Sequence, residues 1–414
     1  MNNIVLFSTD DIGGAGKAAL RIMKALNRTG LNCKMLVKNK TSTDDNVIKI
    51  HALNRFKYIQ RIKLIFERKK FDKLKLDSKY YYFGYKYEDV PAADISSFID
   101  FVPDTIIVTW TAWFVSPTTI REFASHNAAK IIICPLDMSS FTGGCHYAWD
   151  CEGFKHECQN CPAILSVEHK HIAVNILKEK KHNWVGEDVK FWACSTGLYQ
   201  ELLKSALAHN QKIEQLLIPI DEKIFNNANR QIAKSIFNIN DSKVILFGAT
   251  FSNEKRKGID FFIKALHRLY EILPVEQREY VKVLIAGRKN KVDNQYPIPF
   301  KVIDIDFIND DLLLAHLYQA SDVLVLPTIQ DSGPMMLNEA QMCGLPVVTF
   351  NVGAATDLVV NGISGYVCEV GNVEQMALGI QRVLFGSAID SPTTAHLAFN
   401  KTSFETFSSF INQN

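Results

Sequence analysis

Two carboxylates, Asp331 and Glu339, bracket a strand-to-helix junction in the segment DSGPMMLNEAQMCGLPVV, Asp331 to Val348. The apolar run ASDVLVLPT (Ala320 to Thr328) ahead of them predicts a strand, and Gly333-Pro334 predicts the turn that opens a helix through Met335 and Met336. The first-turn N–H groups of such a helix, from Ser332 onward, have no partner within the helix and lie at its positive dipole end, so they fit a diphosphate. Asp331, before the turn, is placed to hold hydroxyl groups, and Glu339, two helical turns on, to accept from a diol. Acids are also common at helix starts and on solvated faces, so the pair by itself leaves both readings open.

Cations stand at a matching place upstream. Lys255-Arg256-Lys257-Gly258 follows the apolar run VILFGAT (Val244 to Thr250), where a positive charge could neutralise a departing diphosphate as its bond breaks. A solvated basic loop is the alternative. Gly13, Gly14 and Gly16 follow the first apolar run, and glycines there let backbone amides approach a phosphate or sugar closely, although a tight turn would use them too. Asp137, at the end of Cys134-Pro135-Leu136-Asp137, is either a cleft carboxylate or a turn cap. Cys145, Cys151, Cys158 and Cys161 are spaced C-x5-C-x6-C-x2-C, and the final pair has the knuckle spacing with which two thiolates share a tetrahedral metal. They are expected to be either the ligands of a structural zinc or four reduced thiols, the other five cysteines being scattered singly. Asp304-Ile305-Asp306 spells a D-x-D, but its acids alternate with Val302, Ile305 and Phe307 as at a strand end, and no metal role is expected.

These groups need elements to hold them. Short apolar runs alternate with helix-like stretches along the chain: NIVLFS, then a helix over 16–28, NCKMLV, DTIIVTW, KIIICPL and KFWACS, and again from IEQLLIPI through KVILFGAT, VKVLIAG, DVLVLP, PVVTF and GYVCEV. Continuous rather than alternating apolar strands imply parallel sheets covered on both faces, so the pattern predicts an α/β chain of two Rossmann-like domains. Ligands in such folds sit at the carboxyl ends of the strands, which would put the candidate loops on the walls of a cleft between two facing domains. The expected bounds are 1–210, 211–390 and a terminal helix over 391–414. With 414 residues, 47% hydrophobic, 22% charged and a net charge of +2, the chain is long enough for two full cores and lacks the basic excess of a nucleic-acid binder. No apolar run reaches the roughly 18 residues of a membrane span and no signal sequence is evident, so a cytoplasmic protein is expected. The basic, apolar-interleaved stretch Arg55 to Lys79 is either a peripheral contact with an anionic membrane or a helix with one solvated face.

Asp331-x7-Glu339, with Ala340 and CGLPVV behind it, resembles the E-x7-E segment of retaining glycosyltransferases of family 4, which have the GT-B fold. VILFGAT with Lys257-Gly258, the glycine-rich VGAATDLVVNGISGYVCEVGN (Val352 to Asn372) and GGAGKAALRIMKAL (Gly13 to Leu26) are similar to corresponding segments of that family, so the resemblance extends over nearly the whole chain. The cysteine-bearing FTGGCHYAWDCEGFKHECQNCP (Phe141 to Pro162) resembles an insert of its bacterial polysaccharide, colanic-acid-type subgroup. The resemblance implies transfer of a hexose-type sugar from a nucleotide diphosphate sugar to a saccharide or lipid-linked saccharide, with retention and without a catalytic metal, in surface polysaccharide biosynthesis. It implies catalytic roles for Lys257, Arg256, Asp331 and Asp137, and donor contacts from Gly13, Gly14, Gly16, Ser332, Gly333, Pro334, Met335, Met336 and Glu339. It also implies that the terminal helix crosses back to the first domain. Two positions depart from the family: Ala249 stands where an arginine is usual, and Leu136 where a histidine precedes the aspartate. A non-catalytic relative that binds nucleotide sugar or glycan is the alternative those departures raise.

Overall fold

The computed structural model describes residues 3–53, 74–82, 90–239, 241–251, 254–288, 297–333, 335–387 and 389–413. Most of the basic stretch expected to contact a membrane, and Pro334, lie outside the described residues. The chain divides into two units, Met1–Ile218 and Pro219–Asn414.

In the first unit β1 (Asn3–Asp10), β2 (Asn32–Asn39), β3 (Val47–Lys49), β4 (Thr105–Val108), β5 (Lys130–Ile133), β6 (Val189–Ala193) and β7 (Lys212–Gln215) form a parallel sheet in the order β3-β2-β1-β4-β5-β6-β7. Helices of at least two turns beside it are α1 (Gly13–Arg28), α2 (Pro117–Asn127), α3 (His171–Asn183) and α4 (Thr196–Lys204). Val5, Leu6 and Phe7 of β1 are wholly buried, as a strand covered on both faces must be, and Phe7 meets Phe123 of α2 edge-on at 6.1 Å. Helix α2 starts where the Ser116 hydroxyl accepts from the Thr119 N–H at 3.1 Å, with Pro117 in the first turn. Lys212–Gln215, expected to open the second domain, is instead the last strand of the first sheet. It pairs with β6 from Lys190 opposite Lys212 to Ala193 opposite Gln215, and its half-exposed pattern is that of an edge.

In the second unit β8 (Lys243–Phe251), β9 (Val281–Arg288), β10 (Lys301–Ile305), β11 (Val323–Leu326), β12 (Val347–Phe350) and β13 (Gly365–Cys368) run parallel in the order β10-β9-β8-β11-β12-β13. The helices that matter here are α5 (Ile259–Ile272), α6 (Asp311–Ala320), α7 (Met335–Met342), α8 (Val373–Phe385), α9 (Ser391–Thr402) and α10 (Phe404–Gln413). Its core joins Phe247, stacked on Phe262 at 4.8 Å, to Ile245, Val325, Val348, Phe350 and Ile380. The tail groups with the second unit: α9 packs on α7, and Ser403 bridges Ile220. In each sheet the strand order reverses at its middle, between β1 and β4 and between β8 and β11. The loops beyond the carboxyl ends of those strands are where a doubly wound fold takes its ligand.

Candidate functional site

In the second unit the loops after β8 and β11 are fastened together. Residues Lys255–Lys257 make a single tight turn, closed by Gly258 at φ +73°. A β-carbon at Gly258 would stand 1.9 Å from the Pro327 carbonyl oxygen, so only glycine lets the two loops touch. The Ile329 N–H donates to the Arg256 carbonyl at 2.9 Å across the same seam. The third loop, after β12, closes in as well: Gly353, at φ +59°, approaches Gly333 N so nearly that a β-carbon would be 3.0 Å from it.

This seam brings together residues far apart in the chain. Lys257 Nζ lies 2.6 Å and Arg256 Nη1 2.9 Å from the same oxygen of Asp331, Oδ2, while Oδ1 accepts from the Gly333 N–H at 3.2 Å. Arg256 also pairs through Nη2 with Glu254 at 2.7 Å. Burial would raise the Asp331 carboxyl, but Lys257 and Arg256 outweigh it and hold the group at about 2. The two cations expected to meet a diphosphate are therefore already balanced by two carboxylates, and a phosphate entering here would have to share them.

Ser332, Gly333, Met335 and Met336 lie at the start of α7 as expected. Met336 lies over the β8 backbone, where a β-carbon at Gly248 would be 2.4 Å from its methyl. Glu339 is 3% exposed, and its Oε2 accepts from the Tyr318 hydroxyl of α6 at 2.5 Å. Sequence reading missed Tyr318, because nothing in the spacing of α6 and α7 tells which faces meet.

In the first unit Gly13 and Gly14 open α1, and a β-carbon on either would meet nothing. Gly16 differs: a β-carbon there would be 2.7 Å from the Asp10 carbonyl oxygen, so it is needed for the helix to sit on the strand end. Asp11 is 2% exposed and accepts from the N–H groups of Thr41 and Ser42, pinning the loop after β2. Asp137 follows β5, caps a short helical turn by accepting from the Ser139 N–H at 2.8 Å, and is 8% exposed. Its other oxygen is 2.6 Å from His146 Nδ1. Burial works against the Asp137 carboxylate, but His146 and the Ser139 bonds prevail and hold the carboxyl below its ordinary value. Trp110 Nε1 is 3.4 Å from the same His146 nitrogen. One ring nitrogen cannot both donate to Asp137 and accept from Trp110, so the shorter contact is taken as the bond and the indole as an aromatic neighbour. His146 lies in the cysteine-bearing segment, and its identity as the partner of Asp137 was not foreseen. A histidine nine residues beyond an aspartate in an irregular stretch carries no periodicity to announce it.

Cys145, Cys151, Cys158 and Cys161 line one small cavity with Tyr80 and Phe154. Among the described residues no group of three or more His, Cys, Asp or Glu side chains is set at ligand distance for a metal ion.

Residues 242–385 match the family model described as Glycosyl transferases group 1. An uncharacterised glycosyltransferase of Methanocaldococcus jannaschii is 30% identical over 150 residues, 35% of this chain and 36% of that one. The capsular polysaccharide biosynthesis glycosyltransferase CapM of Staphylococcus aureus is 27% identical over 229 residues, 53% of this chain and 50% of its own. The chain thus spans half or less of the length of these two curated relatives. The fold is similar throughout to sucrose-phosphate synthase of Thermosynechococcus elongatus, with TM-score 0.68 and 15% identity over 100% of this chain and 98% of that one. It is similar also to HepE of Anabaena in complex with UDP-glucose, with TM-score 0.63 and 13% identity over 99% and 98%. Those likenesses and the two parallel sheets establish the GT-B glycosyltransferase fold, with two Rossmann-like domains. The clustered Asp331, Lys257 and Arg256 all fall inside the span of the second unit that matches the group 1 glycosyl transferase model.

Proposed function

We propose that the protein is a retaining, metal-independent glycosyltransferase that moves a hexose-type sugar from a nucleotide diphosphate sugar to a saccharide or lipid-linked saccharide in surface polysaccharide assembly. The observation that carries this reading is the meeting of Asp331 with Lys257 and Arg256 at the carboxyl ends of β8 and β11, beside the start of α7. In the reaction the bond from the anomeric carbon to the diphosphate breaks and its electron pair leaves with the diphosphate. The acceptor hydroxyl forms the new bond to that carbon and passes its proton to the departing diphosphate. Charge grows on the departing phosphate, so Lys257 and Arg256 stabilise the transition state more than the bound donor. As the phosphates take up the cations, Asp331 is released toward the sugar hydroxyls, a step that links donor binding to sugar positioning. Gly13, Gly14 and Asp137, with His146 behind it, belong to the unit that takes the acceptor.

The printed names of relatives support the substrate classes: HepE of Anabaena with UDP-glucose, and the Staphylococcus aureus protein with capsular polysaccharide. Among the described residues no helix is long and apolar enough to cross a membrane, so a lipid-linked acceptor at the cytoplasmic face would be met peripherally, through the basic stretch 55–79. The test is incubation with a panel of nucleotide diphosphate sugars, reading donor hydrolysis and transfer to saccharide acceptors. Tight binding of one donor without hydrolysis of any would favour a non-catalytic relative, a reading that the internal balance of Lys257 and Arg256, together with Ala249 and Leu136, keeps in view.

A further inference from the structure

We infer that Cys145, Cys151, Cys158 and Cys161 hold one zinc ion as a tetrathiolate whose work is to fix the segment that carries His146. The four side chains come from turns separated in sequence yet line a single cavity, whereas Cys33, Cys343 and Cys368 stand apart from it and Cys134 and Cys194 follow the paired strands β5 and β6. The backbone is arranged to point hydrogens at the sulfurs. The Gly143 N–H donates to Cys158 Sγ at 3.2 Å and the Gly153 N–H to Cys151 Sγ at 3.4 Å, while the Ala163 and Ile164 amides hydrogen-bond Cys161. Such bonds orient and partly neutralise metal-bound thiolates, and an apolar cysteine has no use for them. Cys158 and Asn160 both adopt left-handed backbone, at φ +55° and +51°, which folds the C-x2-C pair into a tight knuckle at a conformational cost to each residue.

The surroundings hold the rest in place. A β-carbon at Gly143 would be 2.9 Å from the Cys158 β-carbon and 2.6 Å from the Ala173 carbonyl oxygen, so the chain is pressed between α3 and the knuckle. Lys180 of α3, 3% exposed, donates to the carbonyls of Ser139 and Thr142 at 2.5 and 2.9 Å and interacts electrostatically with Cys158 and Cys145. A tetrathiolate zinc bears two negative charges, and a buried ammonium beside it offsets part of them. The sulfurs line the cavity, but no three of them stand at ligand distance among the described residues, so binding would have to draw them to the roughly 2.3 Å of a zinc–thiolate bond.

Four protein ligands leave no open position, so the ion would not take part in transfer. Its consequence lies next door. Cys145 adjoins His146, whose backbone is tied to Met138 and Tyr80 by N–H···O bonds of 3.1 Å each, and whose ring is on Asp137. Closing the thiolates on one ion would fix that backbone independently of the acceptor.

Full-length protein purified in reducing, chelator-free buffer should carry about one zinc per chain by elemental analysis, as a closed four-thiolate site requires. Cobalt added to the metal-free protein should give the intense visible bands of tetrahedral cobalt thiolate. Cys158→Ser and Cys161→Ser should lose the metal and Cys368→Ala should keep it. If the serine variants do not fold, the cobalt titration of the unaltered chain decides. Chelation should open proteolytic cleavage between residues 142 and 162, and cleavage that does not change would overturn the structural role. A zinc-free protein with four titratable thiols, a disulfide within the cluster, or iron in place of zinc would overturn the assignment.

Discussion

The carboxyl ends of the two sheets each present an aspartate, and the two are held in opposite ways. Asp331 lies between Lys257 and Arg256, cations that an incoming phosphate can compete for. Asp137 is held by the 5%-exposed imidazole of His146 and by the backbone of its own turn. One arrangement can exchange ionic partners when a charged ligand arrives; the other keeps a fixed orientation whatever arrives. The difference teaches which unit should answer the charge that grows on a departing diphosphate and which should govern geometry.

The comparison breaks first at Lys257. Replacing it by alanine should lower turnover by roughly 10²–10³, the usual loss when one donor to a growing negative charge is removed, with little change in the Michaelis constant. Steady-state kinetics with the active donor measures this. A raised Michaelis constant at unchanged turnover would make Lys257 a ground-state binder and erase the distinction drawn for Asp331.

Next in size is Glu339→Ala, expected to weaken nucleotide binding by about 1.5–3 kcal/mol if its carboxylate holds the ribose diol, as charge-assisted hydrogen bonds do. Tyr318→Phe sharpens the point, since it removes the 2.5 Å partner and leaves the carboxylate in place. Calorimetry with free nucleotide diphosphate distinguishes the cases. Unchanged affinity in a folded Glu339→Ala protein would assign the residue to the α6–α7 packing alone.

His146→Ala should destabilise the protein by about 1–3 kcal/mol, because Asp137 would keep its burial and lose its partner. Nucleotide affinity should not move. Thermal unfolding beside calorimetry tests both halves, and a parallel loss of affinity would mean that Asp137 does not belong to a separate, orienting site.

The two sites were unequally legible before the structure was known, for a physical reason. The β11–α7 junction is announced by local pattern: a buried strand reads as a continuous apolar run, a glycine marks the turn, and the basic turn after β8 stands close to its own glycine. What connects those pieces is long-range, and Asp331 with Arg256 and Lys257 could be placed on neighbouring loops only through the order of a doubly wound sheet. Tyr318 against Glu339 depends on which helix faces meet, and His146 against Asp137 on an irregular segment shaped by turns. Neither leaves a period in the sequence. The strand Lys212–Gln215 shows the same limit, since its type was readable but its sheet depended on pairing with β6.

The Asp331 charge should also affect folding, by an amount that vanishes in acid, and its pH dependence tests whether the carboxylate is paired at rest. The group's folded value of about 2 lies below its ordinary 3.8, so the folded protein binds this proton less readily than the unfolded chain does. Stabilisation from the pairing is therefore complete above about pH 4 and is lost as the pH falls toward 2, amounting to about 2 kcal/mol at neutral pH. Asp331→Asn should be less stable than the unaltered protein at about pH 7 in urea unfolding, and the gap should close as both are acidified through that window. A gap that persists at low pH would mean the variant loses packing rather than charge, and Asp331 would no longer differ from Asp137 in how it is held.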